Sequence, residues 1–415
     1  MDAYKKNELV EDSTIGLFML SSIPVDRAEP SEALKTTSVW SSGLDNDLTI
    51  LLSRKQVCDF KAGKKLVTEK DIKASRGAYL INSTVVIKPG RQIDWMIVAE
   101  INQGPTDIID LKSSLSESSK LKKAVLKDIA HGTSNLKKMV AFADGMQMTN
   151  NDLSYARHYT NTMFNIMRGG VFVNNYSIDI NDFKNYVWSI NRLVFKEFSH
   201  WLDDLEKGLT STTLIEKANK TENSDLIRIV YEYLPLTFSR RHGDPSRPWN
   251  IFSIETKKEN GEINYNYQGN WRDIFQNWEA LCLSFPEFIE GIISKFLNAS
   301  TIDGYNPYRI MRDGIDWEAP EPNDPWSYIG YWGDHQIIYL QKLLELSEDY
   351  HPGRMDSLLD SELFTYANVP YRIKSYDKLT RNPQDTVEFD SELDKHIKSE
   401  VEYLGADARL LKTKL

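Results

Sequence analysis

The first hundred residues alternate between apolar and polar positions, which is typical of strands in a half-buried sheet. In QIDWMIVAEI, one face carries Ile93, Trp95, Ile97, Ala99 and Ile101. AYLINSTVVIK precedes this run across Pro89-Gly90, a turn signal that predicts a hairpin, and LTILLSRK predicts another strand. We therefore expect an antiparallel β-sandwich domain over residues 1–105. The pattern places two tryptophans in its core, Trp40 and Trp95.

Residues 106–150 are rich in Ser and Lys and have a weaker helical pattern. Thr106 precedes TDIIDLK and is a candidate N-cap, because its hydroxyl can accept a hydrogen bond from the first helical turn. The basic cluster predicts a solvated helix face and consists of Lys120, Lys122, Lys123 and Lys127. We interpret this segment as a helical linker between two domains.

From about Asn151 onward the apolar spacing becomes three to four residues, which predicts amphipathic helices. One helix is expected to stop at Gly169-Gly170. A long run predicts a single helix with apolar positions at Phe183, Val187, Ile190, Val194, Phe198 and Leu202. Another predicts a helix with apolar positions at Trp271, Ile274, Phe275, Trp278, Leu281 and Cys282. Ser284 and Glu287 have the spacing of a capping box before the next helix, and HQIIYLQKLLEL predicts a further one.

These helices are separated by long, aromatic, Pro- and Gly-rich loops, and no fixed short repeat is visible. Helix pairs with functional loops at one end predict an α/α toroid over residues 151–415. A chain of 415 residues is also too long for one ordinary core. The expected fold class is therefore a multidomain α+β protein, with a β-sandwich followed by a toroid.

Composition narrows the classes of partner. Hydrophobic residues make up 41% of the chain, charged residues 27%, and the formal net charge is −10. Residues 241–335 contain 8 Lys and Arg against 15 Asp and Glu, a balance of −7. An acidic surface repels phosphate backbones, so nucleic acid is not expected as a partner.

The cysteines and the apolar runs predict the cellular compartment of the protein. Cys58 and Cys282 lie far apart and match neither a disulfide framework nor a zinc motif. The first residues lack the apolar core of a signal peptide, and no apolar run reaches the roughly 18 residues of a membrane span. We expect a cytoplasmic protein without a membrane segment.

The stretch from residue 241 to 335 holds six of the ten tryptophans, mixed with carboxylates, amides and arginines. Such a mixture is costly in a plain core, because buried polar groups must all find partners. It suits a sugar-binding cleft, where indole faces stack on pyranose rings and polar groups bind hydroxyls. The alternative is a hydrated, loop-rich rim of a helical domain.

Carboxylates are densest in GIDWEAPEPNDPWSYIGYWGDH. Cleaving a glycosidic bond needs one protonated carboxyl and a second group, either a carboxylate or bound phosphate. The candidate acid and base residues are Asp316, Glu318 and Asp334. An indole beside a carboxylate raises its proton affinity through desolvation, as expected around Trp317. Loop carboxylates also form turns and helix caps, and Asp334 is placed to cap the helix after it.

Polar and aromatic residues of the same stretch are candidates for substrate binding. They are Arg241, His242, Asp244, Trp249, Trp271, Arg272, Asp273, Tyr305, Asn306, Arg309, Trp317, Trp332 and His335. The alternative for Arg309 is a structural ion pair with a neighbouring carboxylate. Neither His242 nor His335 has a second histidine at metal-ligand spacing, so no metal site is expected. The motifs of nucleophilic serine enzymes and nucleotide-binding loops are missing.

Five phrases in this stretch resemble a family of large bacterial proteins described as cellobiose phosphorylase-like or glycoside-hydrolase-like. These are RRHGDPSRPWN, YQGNWRDIFQNWEAL, NASTIDGYNPYRI, DGIDWE and IGYWGDHQIIYL. The resemblance covers nearly the whole chain. It implies a β-sandwich followed by a six-hairpin α/α toroid, and hydrolysis or phosphorolysis of an oligosaccharide. It implies no cofactor, and inorganic phosphate is a candidate co-substrate.

The chain departs from this family at one point. The Gly-Trp-Asn-Asp-type loop that supplies the general acid is missing, so the resemblance assigns no catalytic acid. We therefore expect an incomplete toroid that a partner chain or an oligomer completes. Three hypotheses remain, namely a carbohydrate-active enzyme, a glycan-binding module of the same ancestry, and a scaffold fragment.

Overall fold

The computed structural model describes residues 5–20, 36–44, 47–237, 258, 262–302, 304–317, 319–320, 331–332 and 336–411. The chain divides into two compact units, Met1–Asn135 and Leu136–Leu415. Both contain helices and small antiparallel sheets. This agrees with the expected mixture of helix and antiparallel sheet.

The first unit is built on a five-stranded antiparallel sheet of order β5-β1-β2-β3-β7, and a second pair joins β4 to β6. In chain order its elements are β1 (Lys5–Leu9), β2 (Gly16–Leu20), β3 (Thr36–Ser42), β4 (Thr49–Leu51), α1 (Val57–Lys61), β5 (Asp71–Lys73), β6 (Leu80–Asn82), β7 (Met96–Gln103), α2 (Pro105–Leu115) and α3 (Ser118–Phe142), whose last residues belong to the second unit.

The predicted hairpin across Pro89-Gly90 is wrong, because β7 pairs with β3 and β6 pairs with β4. The apolar face of β7 is also reversed relative to the expectation. Met96 and Val98 pack on the cluster around Trp40 and Leu111, whereas Trp95 is 55% exposed. The less apolar face is the buried one, because Met96 and Val98 share a cluster with Leu111 of α2 and with side chains of α3. Trp40 is a core residue as predicted, and Trp95 is not.

Helices dominate the second unit, and short strands connect them. In chain order the elements are α4 (Asp152–Gly169), β8 (Val171–Phe172), α5 (Ile180–Ile190), α6 (Arg192–Glu197), α7 (Ser199–Asp203), α8 (Ser211–Asn219), α9 (Ser224–Glu232), β9 (Leu236–Thr237), β10 (Gln268–Asn270), α10 (Trp271–Cys282), α11 (Ile289–Asn298), β11 (Tyr305–Asn306), β12 (Arg309–Met311), β13 (Gly314–Asp316), β14 (Tyr331–Trp332), α12 (Gln336–Tyr350), α13 (Arg354–Leu359), β15 (Tyr366–Ala367), β16 (Tyr371–Ile373), α14 (Tyr376–Arg381), β17 (Val387–Phe389), α15 (Ser391–Leu404) and β18 (Leu410–Leu411). Two 3-10 turns add Pro286–Phe288 and Ala406–Arg409.

The long helix expected after residue 180 is divided into α5, α6 and α7. Asn191 ends α5 and caps α6, because its Oδ1 accepts hydrogen bonds from the amides of Leu193 and Val194. The apolar positions were nevertheless predicted correctly, since all but the half-buried Phe198 are buried. Periodicity thus located the buried face, whereas a polar side chain in the middle broke the helix.

Two predicted caps are also wrong. Helix α2 starts with Pro105 after Gly104, whose amide donates to the Asp107 carboxylate at 2.7 Å, so Thr106 is not its cap. The capping box at Ser284 does not form, because a 3-10 turn starts at Pro286 and no side chain caps it. Glu287 instead accepts a hydrogen bond from another helix. In contrast, α4 ends at Gly169 with Gly170 at a φ of 93°, as predicted.

The core of the second unit is centred on α10 and α11. Helix α11 is buried nearly all round, as expected of a central helix. In α10, Trp271 packs against Phe275 and Phe296, with ring centroids 4.9 and 4.7 Å apart. The six apolar positions predicted for this helix are all buried. In the described part of the chain, no helix combines the length and apolarity needed to cross a membrane.

Candidate functional site

Strands β10, β12 and β13 form a small sheet whose two faces differ in polarity. Asn270 lies opposite Arg309, and Arg309 lies opposite Asp316. Because side chains alternate along a strand, Gln268 shares a face with these three residues. We call Gln268, Asn270, Arg309 and Asp316 the polar sheet face. It brings two of the predicted site residues together, Arg309 and Asp316.

The opposite face holds this sheet in the core. Ile310 and Ile315 are buried in the main hydrophobic cluster, and Trp317, which follows β13, joins them. The Trp317 indole N–H donates to Asp394 at 2.7 Å, and the Arg409 guanidinium lies 5.9 Å from its ring. Its ring is thus almost enclosed, which leaves little of it to stack on a sugar.

An ion pair crosses the polar sheet face. The Arg309 guanidinium lies 3.4 Å from the Asp316 carboxylate and donates to Gln268 Oε1 at 3.4 Å. Burial lowers the pKa of the Arg409 guanidinium, and the negative charges of Asp316 and Asp313 oppose that shift. The Arg309–Asp316 pair therefore presents donors and acceptor oxygens that can bind a hydroxyl.

A second strand pair brings together residues from two predicted loops. Tyr305 pairs with Trp332, and Asn306 pairs with Tyr331, so the DGYNPYR and GYWGD phrases meet. The Asn306 side chain is 5% exposed, and its Oδ1 has no hydrogen-bond partner among the residues described. A buried carbonyl oxygen without a donor is costly, and such atoms are often satisfied by water or a ligand.

Other predicted contacts lie on α10. Trp271 has no exposed surface, so its side chain packs in the core. Asp273 is 7% exposed in the first turn of the same helix. Arg272 belongs to the helix between them. The structure therefore gives α10 a packing role, and its contacts with substrate stay a prediction.

The remaining candidates lie outside the described residues. They are Glu318, Asp334 and His335, and, from the RRHGDPSRPWN phrase, Arg241, His242, Asp244 and Trp249. Of the three candidate catalytic carboxylates, Asp316 alone is among the residues that the structure describes.

The polar sheet face offers hydrogen-bond donors and acceptors next to each other. Arg309 supplies planar donors, Asp316 supplies acceptor oxygens, and Gln268 supplies an amide. Groups of this kind bind the hydroxyls of a sugar. Among the described residues, no cluster of three or more His, Cys, Asp or Glu side chains is placed to hold a metal ion.

The structure contains a buried cluster of charged residues that was not predicted from the sequence. Arg228 and Glu232 of α9, Lys295 of α11 and Asp407 of the last 3-10 turn are each at most 6% exposed. Two signals in the sequence point to it. Arg228 and Glu232 interrupt the apolar run of SDLIRIVYEYL, and Lys295 interrupts FIEGIISKFL. Charged residues at apolar helical positions are unusual and need partners.

The charge cluster adjoins a separate hydrophobic cluster formed by α5 to α9. It includes Phe183, Tyr186, Leu226 and Ile229, together with Ala406 from near the end of the chain. Arg312 reaches the same region and forms an ion pair with Asp182 at 2.7 Å.

Comparison with protein families points to the same segment. Residues 172–235 match the family model described as Glycoside hydrolase family 149 insertion domain 1. A search of curated proteins found no match. The matched residues span α5 to α9 and the hydrophobic cluster that these helices form. The match supports a glycoside-hydrolase-like character for this part of the chain.

Proposed function

We propose that the chain binds an oligosaccharide and takes part in breaking its glycosidic bonds, by hydrolysis or by phosphorolysis. The match of residues 172–235 to a glycoside hydrolase insertion domain carries this proposal. The polar sheet face supports it, because Arg309 and Asp316 lie together on a half-exposed surface. Within the proposal, Asp316 and Arg309 bind hydroxyls, and Glu318 and Asp334 remain candidates for acid and base.

The proposal includes the architecture that the resemblance implies. The sheet of the first unit would belong to a β-sandwich, and the helices of the second to an α/α toroid that a partner segment or second chain completes. A cytoplasmic location belongs to the same proposal. Inorganic phosphate is the candidate co-substrate, and no cofactor is expected.

A glycan-binding module without catalysis is the second candidate. The Arg309–Asp316 ion pair favours it, because the two side chains together offer hydrogen-bond donors and acceptors for sugar hydroxyls. The two candidates predict the same binding but a different fate for the bound sugar.

A thermal-shift and product screen of the purified chain separates these functions. Cellobiose, laminaribiose and linear and cyclic glucans are tested, each with and without phosphate, because a bound ligand raises the melting temperature with occupancy. Consumption of a sugar that requires phosphate identifies a phosphorylase, and consumption without phosphate identifies a hydrolase. Stabilisation without turnover identifies a binding module. If the protein is folded, but no sugar raises its melting temperature and no sugar is cleaved, the proposal is contradicted.

A further inference from the structure

The buried charge cluster of Arg228, Glu232, Lys295 and Asp407 contains two cations and two carboxylates. Arg228 serves both carboxylates. Its guanidinium lies 2.5 Å from the Asp407 carboxylate and 3.6 Å from the Glu232 carboxylate. Asp407 also accepts a hydrogen bond from Asn191 at 2.8 Å, and Glu232 accepts one from Asn298. Each carboxylate thus already has Arg228 and one asparagine side chain as partners.

Lys295 is the second cation, and it is placed differently. Its ammonium is held over the rings of Tyr267 and Tyr186, at 5.5 and 5.9 Å from their centroids. Among the described residues, no carboxylate oxygen lies within 4.0 Å of Nζ and no side chain or carbonyl accepts a hydrogen bond from it. Lys295 is 95% buried as a residue, and its ammonium needs acceptors, because desolvating an unpaired charge is costly.

The pKa of Lys295 reflects this position. Burial lowers it to about 8, while the negative charges of Glu232 and Asp313 act in the opposite direction. Arg312 and Arg228 lower it further. The carboxylates therefore act on the ammonium from a distance greater than that of a direct ion pair.

A partly open cavity of about 30 Å³ lies between these groups. Its polar lining comes from Glu232, Lys295, Asn298 and Asp407, and the rest is apolar. A buried water molecule needs roughly 10–15 Å³ of such volume and two to four polar partners. The cavity meets both conditions and has room for about one or two water molecules.

The charges that line the cavity select its ligand. An anion would meet the carboxylates of Glu232 and Asp407, and a metal cation would meet the Lys295 ammonium. A small neutral molecule that accepts from one side and donates to the other suits both. Water has these properties and fits the volume.

We propose that this cavity is a binding site for internal water, which accepts a hydrogen bond from the Lys295 ammonium and donates to the Glu232 and Asp407 carboxylates. The water completes a four-membered charge cluster that joins α9, α11 and the last 3-10 turn. This proposal rests on the geometry of the cluster and is independent of the proposed function.

Magnetic relaxation dispersion of solvent ²H and ¹⁷O on the full chain counts the long-lived internal waters. Lys295→Met replaces the charged donor by an apolar side chain of similar size, so the count is expected to fall by about one or two relative to the unmodified chain. Lys138→Met changes an exposed lysine of α3 in the same way and should leave the count unchanged. Equal counts for Lys295→Met and the unmodified chain would overturn the proposal.

A crystal structure of the unmodified chain keeps the test decisive if Lys295→Met fails to fold. Electron density is expected within hydrogen-bond distance of both Lys295 Nζ and a carboxylate oxygen. A direct ion pair between Nζ and Glu232 or Asp407, with the cavity closed, would contradict the proposal. So would a dry cavity at a resolution that reveals other buried waters.

Discussion

Lys295 is a residue whose surroundings set its chemistry. Burial in the centre of the second unit lowers the pKa of its ammonium to about 8 from an ordinary value of 10.5. Between these two values the unfolded chain binds one more proton than the folded chain. The contribution of Lys295 to the free energy of unfolding is therefore lowest below pH 8 and rises as the pH increases towards 10.5.

This linkage predicts a pH dependence that Lys295→Met removes. From about pH 8 to about pH 9.5, the free energy of unfolding of the unmodified chain should rise by about 2 kcal/mol relative to the variant. Urea unfolding followed by tryptophan fluorescence at several pH values measures the difference. Groups that titrate in both proteins cancel in this comparison. Above pH 10 both proteins are expected to lose stability, because Tyr186, Tyr233 and Tyr267 have pKa values well above the ordinary one, so the window stays below that pH.

Lys138→Met, at an exposed position, should follow the unmodified chain throughout this range. The charged groups that act on Lys295 are Glu232, Asp313, Arg312 and Arg228, and they are unchanged in both variants. Parallel stability curves for Lys295→Met and the unmodified chain would show that Lys295 keeps an ordinary pKa.

Asp316 has a different test, because the proposal gives it a binding role. Asp316→Asn keeps the shape but removes the charge that faces Arg309. We expect the affinity for a stabilising sugar to fall about 10- to 100-fold, as for the loss of a charged hydrogen bond. Thermal shifts at several sugar concentrations measure it, with the exposed Asp349→Asn of α12 as the control. If the affinity is unchanged and turnover is lost, Asp316 takes part in the reaction itself rather than in binding.

At the scale of elements, helix breaks depend on single polar side chains. Asn151 and Asn191 have the same local role, since each caps a helix through its side-chain oxygen. They differ in their surroundings. Asn151 is exposed, whereas Asn191 is 1% exposed and also donates to the buried Asp407 carboxylate. Asn191 thus both caps a helix and binds a carboxylate that is distant in sequence.

The two asparagines form a matched pair of variants. Asn151→Ala is expected to lower the free energy of unfolding by about 1 kcal/mol, the usual contribution of a cap. Asn191→Ala should cost about 2–4 kcal/mol, because it also leaves a buried carboxylate short of a donor. Chemical unfolding measures both. Equal losses would mean that the Asp407 hydrogen bond contributes nothing beyond the cap.

At the scale of the whole chain, ion pairs within the second unit join segments that are far apart in sequence. Arg228 and Asp407 are separated by 179 residues. The turn that carries Asp407 follows Gly405 at a φ of +103°, where an added Cβ would lie 2.7 Å from the Ile190 carbonyl. The end of α15 is therefore packed closely on α5, within the segment that matches the insertion domain.

Removing Asp407 should therefore destabilise the second unit strongly. Asp407→Ala leaves the buried Arg228 charge partly uncompensated, and we expect a loss of about 3–5 kcal/mol in unfolding experiments. Adding Arg228→Met should recover part of this loss, because the buried charge is removed as well. Asp225→Ala deletes a 42% exposed partner of the same arginine and should cost less than about 1 kcal/mol. A double variant that is less stable than Asp407→Ala would contradict this role.

Much of the local structure follows from the sequence. The apolar periodicity located the buried faces of α5 to α7 and α10, and Gly170 marked the end of α4. The phrases that resemble glycoside-hydrolase-like proteins agree in class with the insertion-domain match at residues 172–235. Their closer likeness to cellobiose phosphorylases stays a prediction. Local backbone geometry explains this success, because a helix imposes its period on the few residues that form it.

The tertiary structure decided what the sequence left open. Trp95 directly precedes β7 on the side whose apolar residues are exposed, since Met96 and Val98 on the other side pack with Trp40 and Leu111. Trp271 and Trp317 were expected in a cleft, but they lie in the core. An indole can pack in a core or line a cleft, so its presence in the sequence does not distinguish the two. The partners of Arg228, Lys295 and Asp316 depended on residues distant in sequence or on strand register. Such contacts form only when distant segments meet, so no local pattern encodes them.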